Sequence, residues 1–101
     1  MSTEEIITII KRYCDRNEIV LDKSVAVLRF AMNYLTKKHY GEQFIIVIMA
    51  NKYLNRIYTI TTKSEMPSLI SASARDNYFK YVPLSDLIKE ERTEKILILL
   101  K

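Results

Sequence analysis

The stretch GEQFIIVIMANKYLNRIYTITT, residues 41–62, decides the fold of this chain. Its apolar run at residues 44–49 has no polar alternation and is typical of a strand buried on both faces. Residues 56–62 are also rich in β-branched side chains but include several threonines, as suits a strand with one wetter face. Residues 50–55 between the two runs are mostly polar. The sequence therefore predicts a β-hairpin with this segment at its tip.

Two helices are predicted ahead of the hairpin. Ser2 and Glu5 have the spacing of a capping box, and apolar residues then recur at helical spacing over about residues 3–16. A second helix is predicted over about residues 24–39, with Ser24 or Asp22 as its cap and Gly41 at its end. Its apolar residues cover most of its circumference, which is typical of a helix covered on two sides. We therefore expect it to be either the central helix of the domain or part of a subunit interface.

The second half of the chain alternates helices and strands. Pro67 predicts the start of a short helix, residues 77–82 read as a strand, and Ser85 is placed to cap a charged helix. The final apolar run, residues 96–100, predicts another buried strand. The predicted order is α-α-β-β-α-β-α-β in one globular domain, residues 1–101. This is an α+β fold with two N-terminal helices, a mixed four-strand sheet and two further short helices.

Composition limits the environment and the partners of the protein. The 16 Lys and Arg residues exceed the 12 Asp and Glu residues, which permits an acidic partner without requiring one. A single Cys cannot form an intramolecular disulfide, and neither a signal peptide nor a membrane span is apparent. We therefore expect an intracellular, cytoplasmic protein that does not contact membranes. The bias toward Ile, Lys and Tyr with little Gly is typical of an AT-rich genome or a small viral accessory protein.

The residue sets that common enzymes need are missing. His39 is the only imidazole, which excludes the usual zinc sites, and the single glycine excludes a glycine-rich phosphate loop. Cys14 and His39 could form a nucleophile and base, but Cys14 lies on the apolar side of the first helix, where an inert thiol is expected. Glu90, Glu91 and Glu94 alternate with basic residues, as on a solvated salt-bridge face. We expect a non-enzymatic protein without metal or cofactor; a small metal-dependent nuclease is the less favoured alternative.

Basic and aromatic residues are interleaved at residues 51–58 and 37–40. This combination can neutralise phosphates and stack on bases, although cations at a helix end and a polar hairpin tip also have purely structural roles. Two arginines on one face of the first helix extend the set. The predicted binding residues for nucleic acid or an acidic protein surface are Lys52, Tyr53, Asn55, Arg56, Lys37, Lys38, Arg12 and Arg16. The hairpin tip and the lysine pair are expected at opposite ends of the sheet, so only dimerisation would join them.

Two binding functions follow from these features. The first is a homodimer that presents a basic and aromatic hairpin to an acidic ligand, either nucleic acid or a protein. The alternative is a protein-interaction or inhibitor module that binds through the apolar surface of the second helix. The first predicts affinity that falls steeply with salt, and the second predicts affinity that salt changes little.

Overall fold

The computed structural model describes residues 1–71 and 78–100. Within these residues the elements are α1 (Thr3–Arg16), α2 (Val25–Lys38), β1 (Ile45–Ala50), β2 (Asn55–Thr61), α3 (Met66–Ser71), β3 (Tyr78–Pro83) and α4 (Leu84–Leu100). The strands form one antiparallel sheet in the order β2-β1-β3. The predicted α+β class is thus confirmed. The predicted helix at Pro67 is present as α3 up to Ser71, and the rest of the predicted segment, residues 72–75, lies outside the described residues.

The predicted mixed sheet of four strands is wrong, because residues 96–100 continue α4 instead of forming a strand. An unbroken apolar run does not distinguish a buried strand from a helical segment. The sequence from Leu84 to Leu100 contains no Gly, Pro or Asn that would end a helix, and it is rich in strong helix formers. The apolar end of α4 is not buried either, since Ile96 and Leu99 are 56% and 84% exposed.

Local hydrogen bonds fix where the helices begin. Ser2 Oγ accepts from the N–H of Glu5 at 3.2 Å and the N–H of Ser2 donates to Glu5 Oε1 at 3.4 Å, so the predicted capping box is present. Ser24 Oγ accepts from the N–H of Val27 and caps α2 in the same way. The predicted cap at Ser85 is wrong. Helix α4 begins one residue earlier, and the N–H of Ser85 donates to Gln43 Oε1 at 3.0 Å.

The core lies between one face of the sheet and helices α1, α2 and the first turn of α4. Strand β1 is central, and Ile46 and Ile48 on its helix-facing side are buried together with Val47 on the other side, as the apolar run predicted. Helices α1 and α2 contact each other, while α2 lies against β2 and α4 lies against α1 and β3. The hairpin tip and the end of α2 are therefore held at opposite ends of β1.

A β-bulge at Tyr58 allows β2 to place both of its buried isoleucines on the side of the sheet that faces the helices. Ile57 and Ile60 are both buried, yet residues three apart on a regular strand point to opposite faces. The pairing register with β1 skips Tyr58, and the extra residue returns Ile60 to the helix-facing side. The Tyr58 ring stacks on Phe79 of β3 with 4.8 Å between ring centroids.

Substitutions at two leucines of α4 test this arrangement. Leu87 is fully buried whereas Leu99 is 84% exposed on the same helix. We expect Leu87→Ala to lower the free energy of unfolding by about 2–5 kcal/mol, because it leaves a cavity in the core. The matched change Leu99→Ala should cost less than about 0.5 kcal/mol. Urea denaturation of both variants measures the difference; equal losses would mean that the end of α4 is packed on the domain.

Candidate interaction surfaces

The hairpin tip is an ordered turn. Asn51 Oδ1 accepts from the N–H groups of Tyr53 and Leu54 at 2.8 and 2.9 Å, and the N–H of Asn51 donates to the carbonyl of Leu54 at 3.1 Å. The Lys52 ammonium lies 5.4 Å from the centroid of the Tyr53 ring, which is 84% exposed. The turn therefore holds a cation beside an exposed aromatic ring.

The start of β2, next to the hairpin tip, is held by the segment that follows α1. The N–H of Val20 donates to the carbonyl of Asn55 at 2.9 Å, and the N–H of Ile57 donates to the carbonyl of Val20 at 3.0 Å. Arg56 Nη1 lies 3.6 Å from Asp22 Oδ2. Arg56, which is the predicted cation nearest to the tip after Lys52, is therefore already close to a carboxylate.

The two predicted arginines of α1 contact α4. Arg12 forms an ion pair with Glu91, and Arg16 Nε lies 3.7 and 3.8 Å from carboxylate oxygens of Glu90 and Glu94. The acids predicted to form a solvated salt-bridge face thus pair across the α1–α4 contact. Their charge reduces the positive potential that Arg12 and Arg16 present to a ligand.

The predicted lysine pair lies at the end of α2, away from the hairpin tip. Lys38 Nζ is 2.9 Å from the Tyr34 hydroxyl and 3.5 Å from Glu65 Oε1, while Lys37 is exposed. Strand β1 separates this end from the tip by six residues, a length of about 20 Å. One chain therefore does not bring Lys37 and Lys38 together with Lys52.

Two residues of β3 lie near the tip and were not among the predicted binding residues. Tyr78 pairs with Ala50 and Lys80 pairs with Ile48 across the sheet. Both line a cavity of about 170 Å³ together with Asn55. Side chains two residues apart on a strand point to the same face, so Tyr78 and Lys80 share one face of β3. This spacing in the sequence was the signal that could have identified them.

A polar network joins the end of α2 to the segment before α3. His39 Nε2 lies 2.8 Å from Glu65 Oε1, and His39 Nδ1 lies 3.3 Å from Glu42 Oε2. Glu42 also accepts from the backbone N–H and the hydroxyl of Ser64. The hydrogen bond with His39 lowers the pKa of Glu65, and the hydrogen bond from the Ser64 hydroxyl lowers the pKa of Glu42.

The carboxylates around His39 and the burial of Cys14 both argue against a catalytic pair of these two residues. Both ring nitrogens of His39 face carboxylates. Cys14 is 3% exposed, and burial raises the pKa of its thiol to about 11, so little thiolate forms at neutral pH. Within residues 1–71 and 78–100, no acidic, His and Cys side chains are grouped so as to hold a metal ion.

Helix α2 is covered on one side only. Leu28, Met32 and Leu35 are buried, but Val27, Phe30 and Tyr34 on the outer side are 52%, 75% and 47% exposed. Their spacing of three and four residues forms one continuous stripe.

An apolar groove of about 290 Å³ lies beside this stripe. Its walls include Phe30 and Tyr34 of α2, residues 59–61 of β2 and Leu69 of α3, and Glu65 also lines it. Its volume is at the lower limit of the about 300–1,000 Å³ usual for small-molecule pockets. We call the stripe and the groove together the α2 surface.

Comparison with protein-family models, with curated proteins and with solved structures found no significant match to this chain. None of the helices in the described part of the chain combines the length and apolar character that crossing a bilayer requires. The candidate sites therefore rest on the geometry of the chain alone.

Acid should weaken the network around His39. The pKa values of Glu42 and Glu65 are lowered in the folded protein, so the stability they contribute is present above the ordinary glutamate pKa and is lost as pH falls through the lowered values. Urea denaturation from about pH 6 to about pH 3 measures this loss. Glu42→Gln should make stability depend less on pH, whereas Glu18→Gln, outside the network, should not. An unchanged slope in the Glu42 variant would contradict the assignment.

Proposed function

We propose that this chain is a non-enzymatic interaction protein that binds another polypeptide through the α2 surface. The observation that carries the proposal is the position of Phe30, which is 75% exposed at the rim of an apolar groove. Contiguous exposed apolar surface of this kind marks interaction sites, whereas scattered apolar residues need no explanation. Binding through α2 explains why a helix with an apolar circumference is left uncovered on one side.

Aromatic side chains support protein binding at this surface. Phe30 and Tyr34 are large and have few rotatable bonds, so they lose little conformational entropy when a partner covers them. Complete burial of a side chain such as Phe30 contributes about 1.5–3 kcal/mol. The hydroxyl of Tyr34 lies 2.9 Å from Lys38 Nζ, and this contact leaves the ring beside the groove.

The distribution of charge favours the α2 surface over the hairpin as the main site. Four of the six predicted cations, Arg12, Arg16, Lys38 and Arg56, lie at ion-pair distance from a carboxylate. Lys37 and Lys52 have no such partner among residues 1–71 and 78–100, but they lie at opposite ends of β1. The positive charge of the chain is therefore dispersed.

Photocrosslinking can test whether a polypeptide covers α2. A photoreactive phenylalanine analogue in place of Phe30 should crosslink to a defined polypeptide in the native cell, because this position lies at the centre of the proposed contact. The same analogue in place of Tyr40, which is 89% exposed outside α2, is the control. Products are identified by mass spectrometry. Identical products from both positions, or none from position 30, would contradict the proposal.

The hairpin tip supports a second candidate function, the binding of nucleic acid or another acidic ligand. The specific observation is the ordered pair of Lys52 and Tyr53, with Tyr78 and Lys80 on the adjoining end of the sheet. Exposed rings beside cations suit single-stranded nucleic acid, whose bases stack on aromatic side chains.

Under this second function, affinity for labelled single-stranded DNA or RNA should fall steeply between low and near-physiological salt. The double change Lys52→Ala with Lys80→Ala should weaken binding on every sequence, because phosphate contacts are lost. Lys89→Ala, at an exposed position of α4, is the control. Fluorescence anisotropy measures all three proteins, and binding that survives the double change would exclude the tip as the site.

A further inference from the structure

We propose that the α2 surface binds a second copy of this chain, with the two α2 helices antiparallel across a two-fold axis near Phe30 and Ala31. The inference rests on the proposed function, because it names the polypeptide that the α2 surface binds.

The surface carries both a projection and a recess. A two-fold interface uses one patch twice, so the patch must be complementary to itself. Phe30 projects, with 75% of its surface exposed, directly beside the groove of about 290 Å³. A rotated second copy would place each Phe30 at the groove of the other. A partner of unrelated shape would not need the projection and the recess on the same surface.

The exposed stripe also matches itself in the antiparallel direction. In an antiparallel helix pair, residues at equal distances from the axis face each other. Val27 and Tyr34 lie equally far on either side of the point between Phe30 and Ala31, and they are 52% and 47% exposed. Each copy would therefore pack Val27 against Tyr34 of the other copy.

Charges select the antiparallel arrangement over the parallel one. Lys37 is exposed in the last turn of α2. At the other end Asp22 and Lys23 precede the cap, and the Asp22 carboxylate, which lies 3.6 Å from Arg56 Nη1 of its own chain, keeps 47% of its side chain exposed. Antiparallel packing brings Lys37 of one copy toward Asp22 of the second copy, whereas parallel packing would place both lysine pairs side by side. The dipoles of two antiparallel helices also attract each other, so they favour the same arrangement.

The end of α4 is another exposed apolar segment of the described chain, but it fits a two-fold contact less well. Ile96, Leu97, Ile98 and Leu99 are all more than half exposed, so they surround the helix and present no single face. A helix partner would cover one side and leave the others in water. Leu97 therefore serves as a control position.

Light scattering and sedimentation of the purified chain over a range of concentrations test the proposal. We expect a reversible dimer. Phe30→Asp should raise its dissociation constant by roughly 30-fold or more, because it removes a central aromatic residue and buries a charge. Tyr53→Asp at the hairpin tip and Leu97→Asp on α4 should leave the dimer intact. Phe30 lies outside the buried core cluster, and circular dichroism checks that each variant is folded.

The outcomes separate this inference from the proposed function. A monomer at every soluble concentration, or a dimer that Phe30→Asp leaves unchanged, overturns the inference. The proposed function would still stand if the analogue at position 30 crosslinked to a different polypeptide. Loss of the dimer in Leu97→Asp alone would assign self-association to α4 and would also overturn the inference.

A charge exchange tests the orientation of the helices. Lys37→Glu and Asp22→Lys should each weaken self-association at low salt, because each creates two like-charge contacts in the dimer. When the two variants are mixed, both contacts become attractive, so the mixed dimer should form in preference to either self-dimer. Native mass spectrometry measures the proportions. A statistical mixture would overturn the antiparallel arrangement.

Discussion

The fold depends on β1, which is hydrogen-bonded on both edges and whose central residues Ile46, Val47 and Ile48 are buried. Its register with β2 and β3 sets Ile46 opposite both Ile60 and Val82, so one row across the sheet meets the helices. Because neither edge of β1 is free and its central residues are buried, its neighbours must be arranged around it. The position of every surface discussed above follows from this strand: the tip extends from one end and the last turn of α2 lies at the other.

The features that local sequence determines were predictable. The capping box at Ser2 and the cap at Ser24 depend on groups three residues apart, and the run at residues 44–49 is long and apolar enough to indicate a central strand. The last five residues of α4 were not predictable by the same means. Their composition suits a buried strand, but the helix before them has no residue that would end it, and the sheet of the described residues has three strands.

The candidate sites were less predictable because their electrostatics depend on residues far apart in sequence. Arg12 and Arg16 meet acids of α4 more than seventy positions away, and His39 meets Glu65 through the turn before α3. No pattern along one segment reveals such partners. The exposed side of α2 was visible in sequence only as excess hydrophobicity; which residues were left outside depended on where β2 and α1 lay.

The bulge at Tyr58 has a consequence for how this sheet can associate. β2 is an edge strand, and an edge strand with free N–H and C=O groups is a template for another strand. Here the bulge breaks the regular spacing of those groups midway, and Val20 already occupies the outer edge beside Asn55 and Ile57. Extension of the sheet from β2 into a neighbouring molecule is thereby discouraged. Contacts between molecules on this side are left to side chains, whose shape and charge can discriminate between partners in a way that backbone pairing cannot.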